Sequence, residues 1–313
     1  MGECAWATTL IGGKGYLKGI VTLQYVLQHV VHSAYPLLVL HTSDITPSAI
    51  DLLKSIGCRL KTIKAIRPEG PIKYSQERFR DTWTKLVAWD QVEYDRLVLM
   101  DADMLPLRNM DALMTLPFPQ HDWIAACPAC TCNPQKMPNY PDDWTPSYCA
   151  YTYTDGGSAA TDDQHTLDTK EYQTNFHHST RHLHYFNSGL VVLNPNRTTF
   201  ETMLDRLTTS SNACLNAYTF PDQDFLNEQF ANRWTVLPYL FNALKAMAIG
   251  HASLWDTDKI YNLHYILTKP WEVSDITKEP PQYHPLYRLW TDAHHKALEH
   301  FGITVDLDGL VQK

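Results

Sequence analysis

The stretch Tyr94-Asp95-Arg96-Leu97-Val98-Leu99-Met100-Asp101-Ala102-Asp103 decides how this chain is read, because a short apolar run ends abruptly in two carboxylates one residue apart. Leu97 to Met100 is long enough for one buried strand, and its unbroken apolarity suits a strand covered on both faces, as in a parallel sheet. Asp101 and Asp103 then emerge at the carboxyl end of that strand. In open α/β sheets this edge is where ligands bind, so two hard oxygen donors there point to a divalent cation bridging a charged substrate such as a nucleotide diphosphate. The motif alone is weak, since Asp-x-Asp also occurs at Asp222/Asp224, Asp256/Asp258 and Asp306/Asp308. Position distinguishes the first pair: it follows a strand and precedes the apolar segment Met104-Leu105-Pro106-Leu107.

Upstream, Cys4 to Leu10 reads as a strand, Gly12-Gly13-Lys14-Gly15 as a turn, and Tyr16 to His32 as a helix. The glycine spacing is not that of a dinucleotide fingerprint. Tyr16, at the mouth of the turn, suits either base stacking or plain capping. Pro36 to His41 predicts a second strand, Thr46-Pro47 caps a helix ending near Gly57, and Arg59 to Ile66 predicts a third strand. Strand, helix, strand, helix, strand demands a parallel sheet. A helix is expected within Tyr74 to Tyr94, with Trp83, Leu86, Val87, Trp89 and Val92 mostly on one face and Lys85 among them.

Downstream, a strand is expected at Trp123 to Cys127. From Pro128 to about His184 the chain turns rich in Pro, Asp, Thr, Tyr and His, with little periodicity. So long an irregular stretch points to an insertion or lid. It carries Trp144, Tyr148, Tyr151, Tyr153, Asp162, Asp163, His177, His178, His182 and His184, and aromatics mixed with acids suit a polyhydroxylated ligand. Order returns at Tyr185 to Leu193, followed by a helix at Thr198 to Leu207. Pro221 and Asp222 then open another helix, whose N-terminal dipole steadies nearby carboxylates. Trp234 to Leu240 and Lys259 to Ile266 predict strands. His264 in the latter is a fitting third ligand for a cation already held by two carboxylates, and Lys269 follows five residues on.

The 313 residues, 44% of them apolar, are enough for one large core. A net charge of −8 without a basic run argues against nucleic acid. No apolar run reaches the length of a membrane span, and no secretory leader is evident, so a cytoplasmic protein is expected. A homodimer is compatible with the sequence. The seven cysteines lack framework spacing and read as free thiols. Cys127-x-x-Cys130 with Cys132 and Cys149 has only one Cys-x-x-Cys, so zinc is not the expectation there.

Taken in order, Thr8-Thr9 with Tyr16 and Lys18-Gly19, Lys85, Asp101-Ala102-Asp103, Phe186-Asn187-Ser188-Gly189, Asp222-Gln223 with Leu226-Asn227, and His264 with Lys269-Pro270-Trp271 resemble glycosyltransferase family 8. The resemblance implies an α/β fold of GT-A type: a single Rossmann-like nucleotide-diphospho-sugar transferase domain, its central sheet mixed but mostly parallel and flanked by helices. One domain, 1–313, would comprise a nucleotide-binding half (1–127), the insertion (128–184) and an acceptor-side half with a C-terminal helix (185–313). The resemblance further implies a retaining hexosyltransferase taking glucose or galactose from a UDP-sugar to a hydroxyl-bearing acceptor, with manganese or another divalent cation. Asp101, Asp103 and His264 would hold the metal. Thr8, Thr9, Leu10, Tyr16, Ala102 and Lys269 would hold the donor nucleotide, and Lys85, Asn187, Ser188, Asp222 and Gln223 would line the sugar and acceptor side. His264 and Lys269 are separated by Tyr265-Ile266-Leu267-Thr268, which lacks the glycine of the glycogenin-type turn. Two other readings stay open: self-glucosylation on a tyrosine, and sugar-nucleotide binding without catalysis.

Overall fold

In the computed structural model, which describes residues 2–12, 15–152 and 184–311, the alternation of the central strands sorts their side chains into two apolar layers. Along β1 (Cys4–Leu10), Ala5 and Ala7 enter one layer while Trp6 and Leu10 enter the other. In β4 (Arg96–Met100), Leu97 and Leu99 face the first layer and Val98 and Met100 the second. A strand apolar on both faces can rest only between two covering layers, which is why this run reads as continuous hydrophobicity.

The remaining large-sheet strands are β2 (Leu37–Thr42), β3 (Arg59–Ile63), β6 (Ile124–Pro128), β7 (Phe186–Leu193) and β8 (Trp234–Val236), and the order is β3-β2-β1-β4-β7-β6-β8. Its pairs are parallel except those of β7, which runs antiparallel to both β4 and β6. A second sheet, β5-β10-β9, joins β5 (Met104–Pro106), β9 (Ala243–Leu244) and β10 (Asn262–His264). The α-helices in chain order are α1 (Tyr16–Tyr25), α2 (Pro47–Ser55), α3 (Arg197–Thr209), α4 (Asn212–Leu215), α5 (Pro221–Gln229), α6 (Met247–Gly250) and α7 (His284–Phe301). Thr46 caps α2 by accepting from the Ala49 amide at 3.2 Å, as its Thr-Pro start predicts. No described helix is long and apolar enough to cross a membrane.

Three expectations need correction. The segment between Tyr74 and Tyr94 is 3₁₀ rather than α, in two pieces, Glu77–Arg80 and Thr82–Asp90. Three residues per turn set Trp83, Leu86 and Trp89 in one row, all essentially without exposure, whereas an α-helix would fan them apart. The first helix stops being α at Tyr25 and continues to Val30 as a wider π turn, with the Val31 amide bonded to Val26 O at 2.9 Å. The last two strands are shorter than the apolar runs that suggest them, β8 ending just before Leu237-Pro238, where the ladder would lose a donor. Gly13, Lys14, Tyr153, Asp162, Asp163, His177, His178 and His182 lie outside the described residues.

Across the α1–α7 contact, the Thr22 hydroxyl donates to Lys18 O at 2.8 Å, so the His294 Nδ1 that meets it at 2.8 Å must carry a proton. Burial foremost, then His295 and Lys18, brings His294 from 6.5 down to about 4. Between these values the folded ring binds fewer protons than the unfolded one. Its contribution is therefore complete above pH 6.5 and is lost as pH falls toward 4, to the extent of roughly 3 kcal/mol. In urea unfolding, the wild type should lose about that much more stability than His294→Gln between pH 7 and pH 4.

Candidate functional site

The chain leaves β4 at Met100, crosses Asp101-Ala102-Asp103, and enters β5, whose antiparallel partner β10 places His264 opposite Met104. The Tyr265 amide then bonds Asp103 O at 2.9 Å, and the Asp101 amide bonds Gly189 O at 2.9 Å. Backbone pairing from two sides thus fixes the turn that carries both carboxylates. His264 Nε2 lies 3.4 Å from Asp103 Oδ1 and 3.8 Å from Asp101 Oδ2, and the donor atoms of the three residues lie within 4.8 Å of one another. A Cβ at Gly189 would sit 2.3 Å from His264 Cε1, so glycine is what lets the imidazole reach the carboxylates. Likewise, a Cβ at Gly19 would meet Ala102 O at 2.3 Å, so glycine lets α1 close on the turn.

Two lysines answer these acids. Lys85 Nζ contacts Asp101 Oδ1 at 2.7 Å and Asp222 Oδ2 at 3.2 Å, while Ser188 Oγ donates to that Asp222 oxygen at 2.9 Å. Lys269 Nζ bonds Asp103 Oδ2 and donates to Tyr265 O at 3.3 Å. Burial works against the Lys85 ammonium, yet Asp101 and Asp222 outweigh it and hold the amine above the lysine range. Asp103 shows the converse: burial would raise it, but Lys269 and His264 hold it well below the carboxylate range. Asp101 is raised, by burial first and by Asp103, with Lys85 and His264 opposing.

Behind the imidazole runs a chain of amides whose orientation the backbone dictates. The Gly189 amide donates at 3.0 Å to the Asn187 side chain, so that atom is its oxygen, and the Ser188 amide fixes Gln223 Oε1 in the same way at 3.2 Å. Asn187 Nδ2 then donates to Gln223 Oε1 at 2.9 Å, Gln223 Nε2 to Tyr185 Oη at 2.9 Å, and Tyr185 Oη to Asp224 Oδ1. At the other end Asn242 Nδ2 donates to Asn187 Oδ1 at 2.8 Å, which turns Asn242 Oδ1 toward His264 Nδ1, also at 2.8 Å. Nδ1 therefore carries a proton, and Nε2 faces Asp101 and Asp103. Two carboxylates and an imidazole nitrogen aimed at one point form a donor set suited to a divalent cation, and the amide behind the ring is the orienting partner such a ligand needs.

The carboxylates, the imidazole and both lysines line one cleft of about 390 Å³. Thr9, Tyr16, Lys85, Ala102, Asn187, Ser188, Asp222, Gln223 and Lys269 reach it along with Asp101, Asp103 and His264. Thr8 and Leu10 do not, because strand alternation turns their side chains away into the buried interior, leaving the Thr8 hydroxyl without a hydrogen-bond partner. Tyr16 meets Trp271 edge to face at 5.4 Å. Residues between Ala129 and Trp144 form a wall of the cleft, where Trp144 stacks on Phe220 at 5.0 Å and touches Tyr140 and Tyr185.

Several residues went unnoticed in the sequence. Arg78 lines the cleft and donates to Leu267 O at 3.2 Å. Leu267 takes φ 65° in the glycine-free turn, a left-handed conformation costing about 1–2 kcal/mol for such a residue. Lys245, nearly fully buried, donates to Thr268 O at 2.5 Å, and burial brings its amine down to about 7 against the pull of Glu279. Asn242 had one signal available, a lone amide inside Leu240-Phe241-Asn242-Ala243-Leu244.

The family model described as Glycosyl transferase family 8 matches residues 8–274. Galactinol synthase 1 of Ajuga reptans is 27% identical over 295 residues, covering 93% of this chain and 80% of that protein. Galactinol synthase 6 of Arabidopsis thaliana is 29% identical over 282 residues, covering 88% and 75%. Among solved structures, the glycosyltransferase GlyE of Streptococcus pneumoniae TIGR4 matches with TM-score 0.58 at 17% identity, over 96% of this chain, which spans 64% of that one. The galactosyltransferase LgtC, crystallised with donor and acceptor sugar analogs, matches with TM-score 0.56 at 15% identity, over 98% and 100%. These likenesses show the fold: an α/β GT-A architecture with a mixed, mostly parallel sheet.

The amide relay yields a structural prediction. Nitrogen-correlated NMR of His264 should show a protonated, hydrogen-bonded Nδ1 in the wild type. Asn242→Leu should abolish that hydrogen-bonded Nδ1 signature and cost about 1–3 kcal/mol, because buried donors and acceptors lose their partners.

Proposed function

The chain belongs to glycosyltransferase family 8 and is on that ground a transferase, and from this premise we propose that it moves a hexose from a UDP-sugar to an acceptor hydroxyl, with retention at the anomeric carbon and with a divalent cation, manganese first. The observation that carries the proposal is the convergence of Asp101, Asp103 and His264 Nε2 on one point of a cleft that also holds Lys269. When bound there, the cation supplies Lewis-acid stabilisation of the charge that develops on the departing UDP.

The chain's own residues supply the rest. Lys269, now paired with Asp103, is positioned to share its ammonium with the diphosphate, and Arg78 adds a further cation to the same cleft. Thr9 and Tyr16 stand where the nucleoside would lie, with Thr8 and Leu10 limited to main-chain contacts. Asp222 carries a carboxylate held between Lys85 and Ser188, so its oxygen is preorganised beside the sugar to steady positive charge at the anomeric carbon. Asn187 and Gln223 occupy the sugar side, locked by the amide relay. In this reading residues 1–127 make the nucleotide half and 185–313 the acceptor half of one domain, with the Tyr140, Trp144 and Phe220 rings offering the acceptor an aromatic platform. A cytoplasmic location belongs to the same reading, supported by seven cysteines without a disulfide.

The relatives' name makes galactinol formation from UDP-galactose the first acceptor reaction to try. The test is UDP release from UDP-galactose and UDP-glucose, with manganese and after its removal. Turnover should need the metal, and Asp103→Ala should lower it by roughly a hundredfold or more. Unchanged turnover in that variant refutes the site. Hexose units appearing on the intact protein mass would instead favour self-glucosylation, and UDP binding without release under any acceptor would favour a binding protein.

A further inference from the structure

A second group of metal-type donors lies away from the carboxylate centre. Cys130, Cys132 and Cys149, brought in by the insertion, meet His251, the residue that ends α6, and all four are buried. His251 Nε2 is 3.0 Å from Cys132 Sγ and 3.3 Å from Cys149 Sγ, and Cys149 Sγ is 3.9 Å from Cys130 Sγ. Every pair of donor atoms lies within 4.8 Å.

We propose that these four side chains form a closed structural zinc site. Zinc bonded to sulfur at about 2.3 Å and to nitrogen at about 2.0 Å in a tetrahedron needs donors about 3.5–3.8 Å apart, and the observed separations bracket that spacing. Three thiolates and one imidazole are soft to borderline donors that select zinc over manganese, unlike the oxygen-rich Asp101/Asp103/His264 group. Four protein donors complete the tetrahedron and leave no position for substrate, so the role is structural. Loading displaces the thiol protons to solvent, with no change of oxidation state.

The Cys-x-x-Cys pair that the sequence offers is not the one used. Cys127 turns instead to Pro238 O, with Sγ at 3.1 Å, and the fourth donor comes from more than a hundred residues downstream. The ion would tie the insertion to α6. Because Cys130, Asn133 and Pro134 line the cleft, the tie fixes one of its walls.

The whole chain, purified without chelator, should carry one zinc per molecule by elemental analysis. The zinc should be released, as read by a colorimetric indicator, when a mercurial modifies the buried thiols. Cobalt in its place should give the thiolate charge-transfer band and intense visible bands of a tetrahedral site. Asp103→Ala should keep the zinc and Cys132→Ser should lose it, which separates this site from the carboxylate centre and makes the outcome independent of whether the transferase reading holds. Should Cys132→Ser fail to fold, the wild-type stoichiometry and cobalt spectrum decide. A wild type free of zinc after growth in zinc-supplemented medium and without a cobalt charge-transfer band, or a Cys130–Cys149 disulfide seen by mass, would overturn the proposal.

Discussion

Three aspartates in the wall of one cleft impose the constraint on which the rest of this structure depends. Asp103 and Asp222 are almost wholly removed from water, and an unpaired carboxylate there would be prohibitively costly. Lys85 spans Asp101 and Asp222, and Lys269 pairs with Asp103. The two lysines come from different elements, one from the 3₁₀ segment and one from the turn after β10. Removing either would leave a buried charge without its partner, so the folded state and the assembled site are the same event. Such pairs do not by themselves add much stability; they select one arrangement of side chains.

In the function proposed, the same arrangement would serve the reaction. A carboxylate paired with a lysine would exchange that partner for a cation, and the lysine so released would stay beside the anion it next neutralises. The imidazole is tuned separately. Its orientation is set by a hydrogen-bond chain that begins at two backbone amides, Ser188 and Gly189, and passes through Asn187 and Asn242 before reaching Nδ1 of the ring. Because the direction of each bond is forced by the one before, Nε2 is aimed at Asp101 and Asp103 by the fold itself. The small sheet matters for the same reason, since register alone places His264 across from Met104.

Much of the fold was legible because it rests on local rules. Strand, turn and helix order, the Thr46-Pro47 cap, and the strand ending at Asp101 follow from periodicity and capping chemistry, and they suffice for a parallel sheet. Where the expected helix failed, packing overrode the local pattern. Trp83, Leu86 and Trp89 share a row only in a three-residue turn, and burial of those rings outweighs the preference for α geometry. Thr8 and Leu10 keep their side chains out of the cleft because a strand shows alternate faces, so the side chains of adjacent residues cannot all face a ligand.

By itself, then, the sequence determined the α/β class, the carboxylate-bearing strand end, and the set of ordered motifs from Thr8 to Trp271. Each is a matter of spacing along the chain. Tertiary structure alone decided which distant residues meet: Asn242 behind His264, Lys85 between Asp101 and Asp222, and Cys130, Cys132 and Cys149 around His251. The physical reason is that a ligand set or hydrogen-bond relay is defined by distances of a few ångströms across sheets and turns, and sequence spacing constrains those distances only within one element.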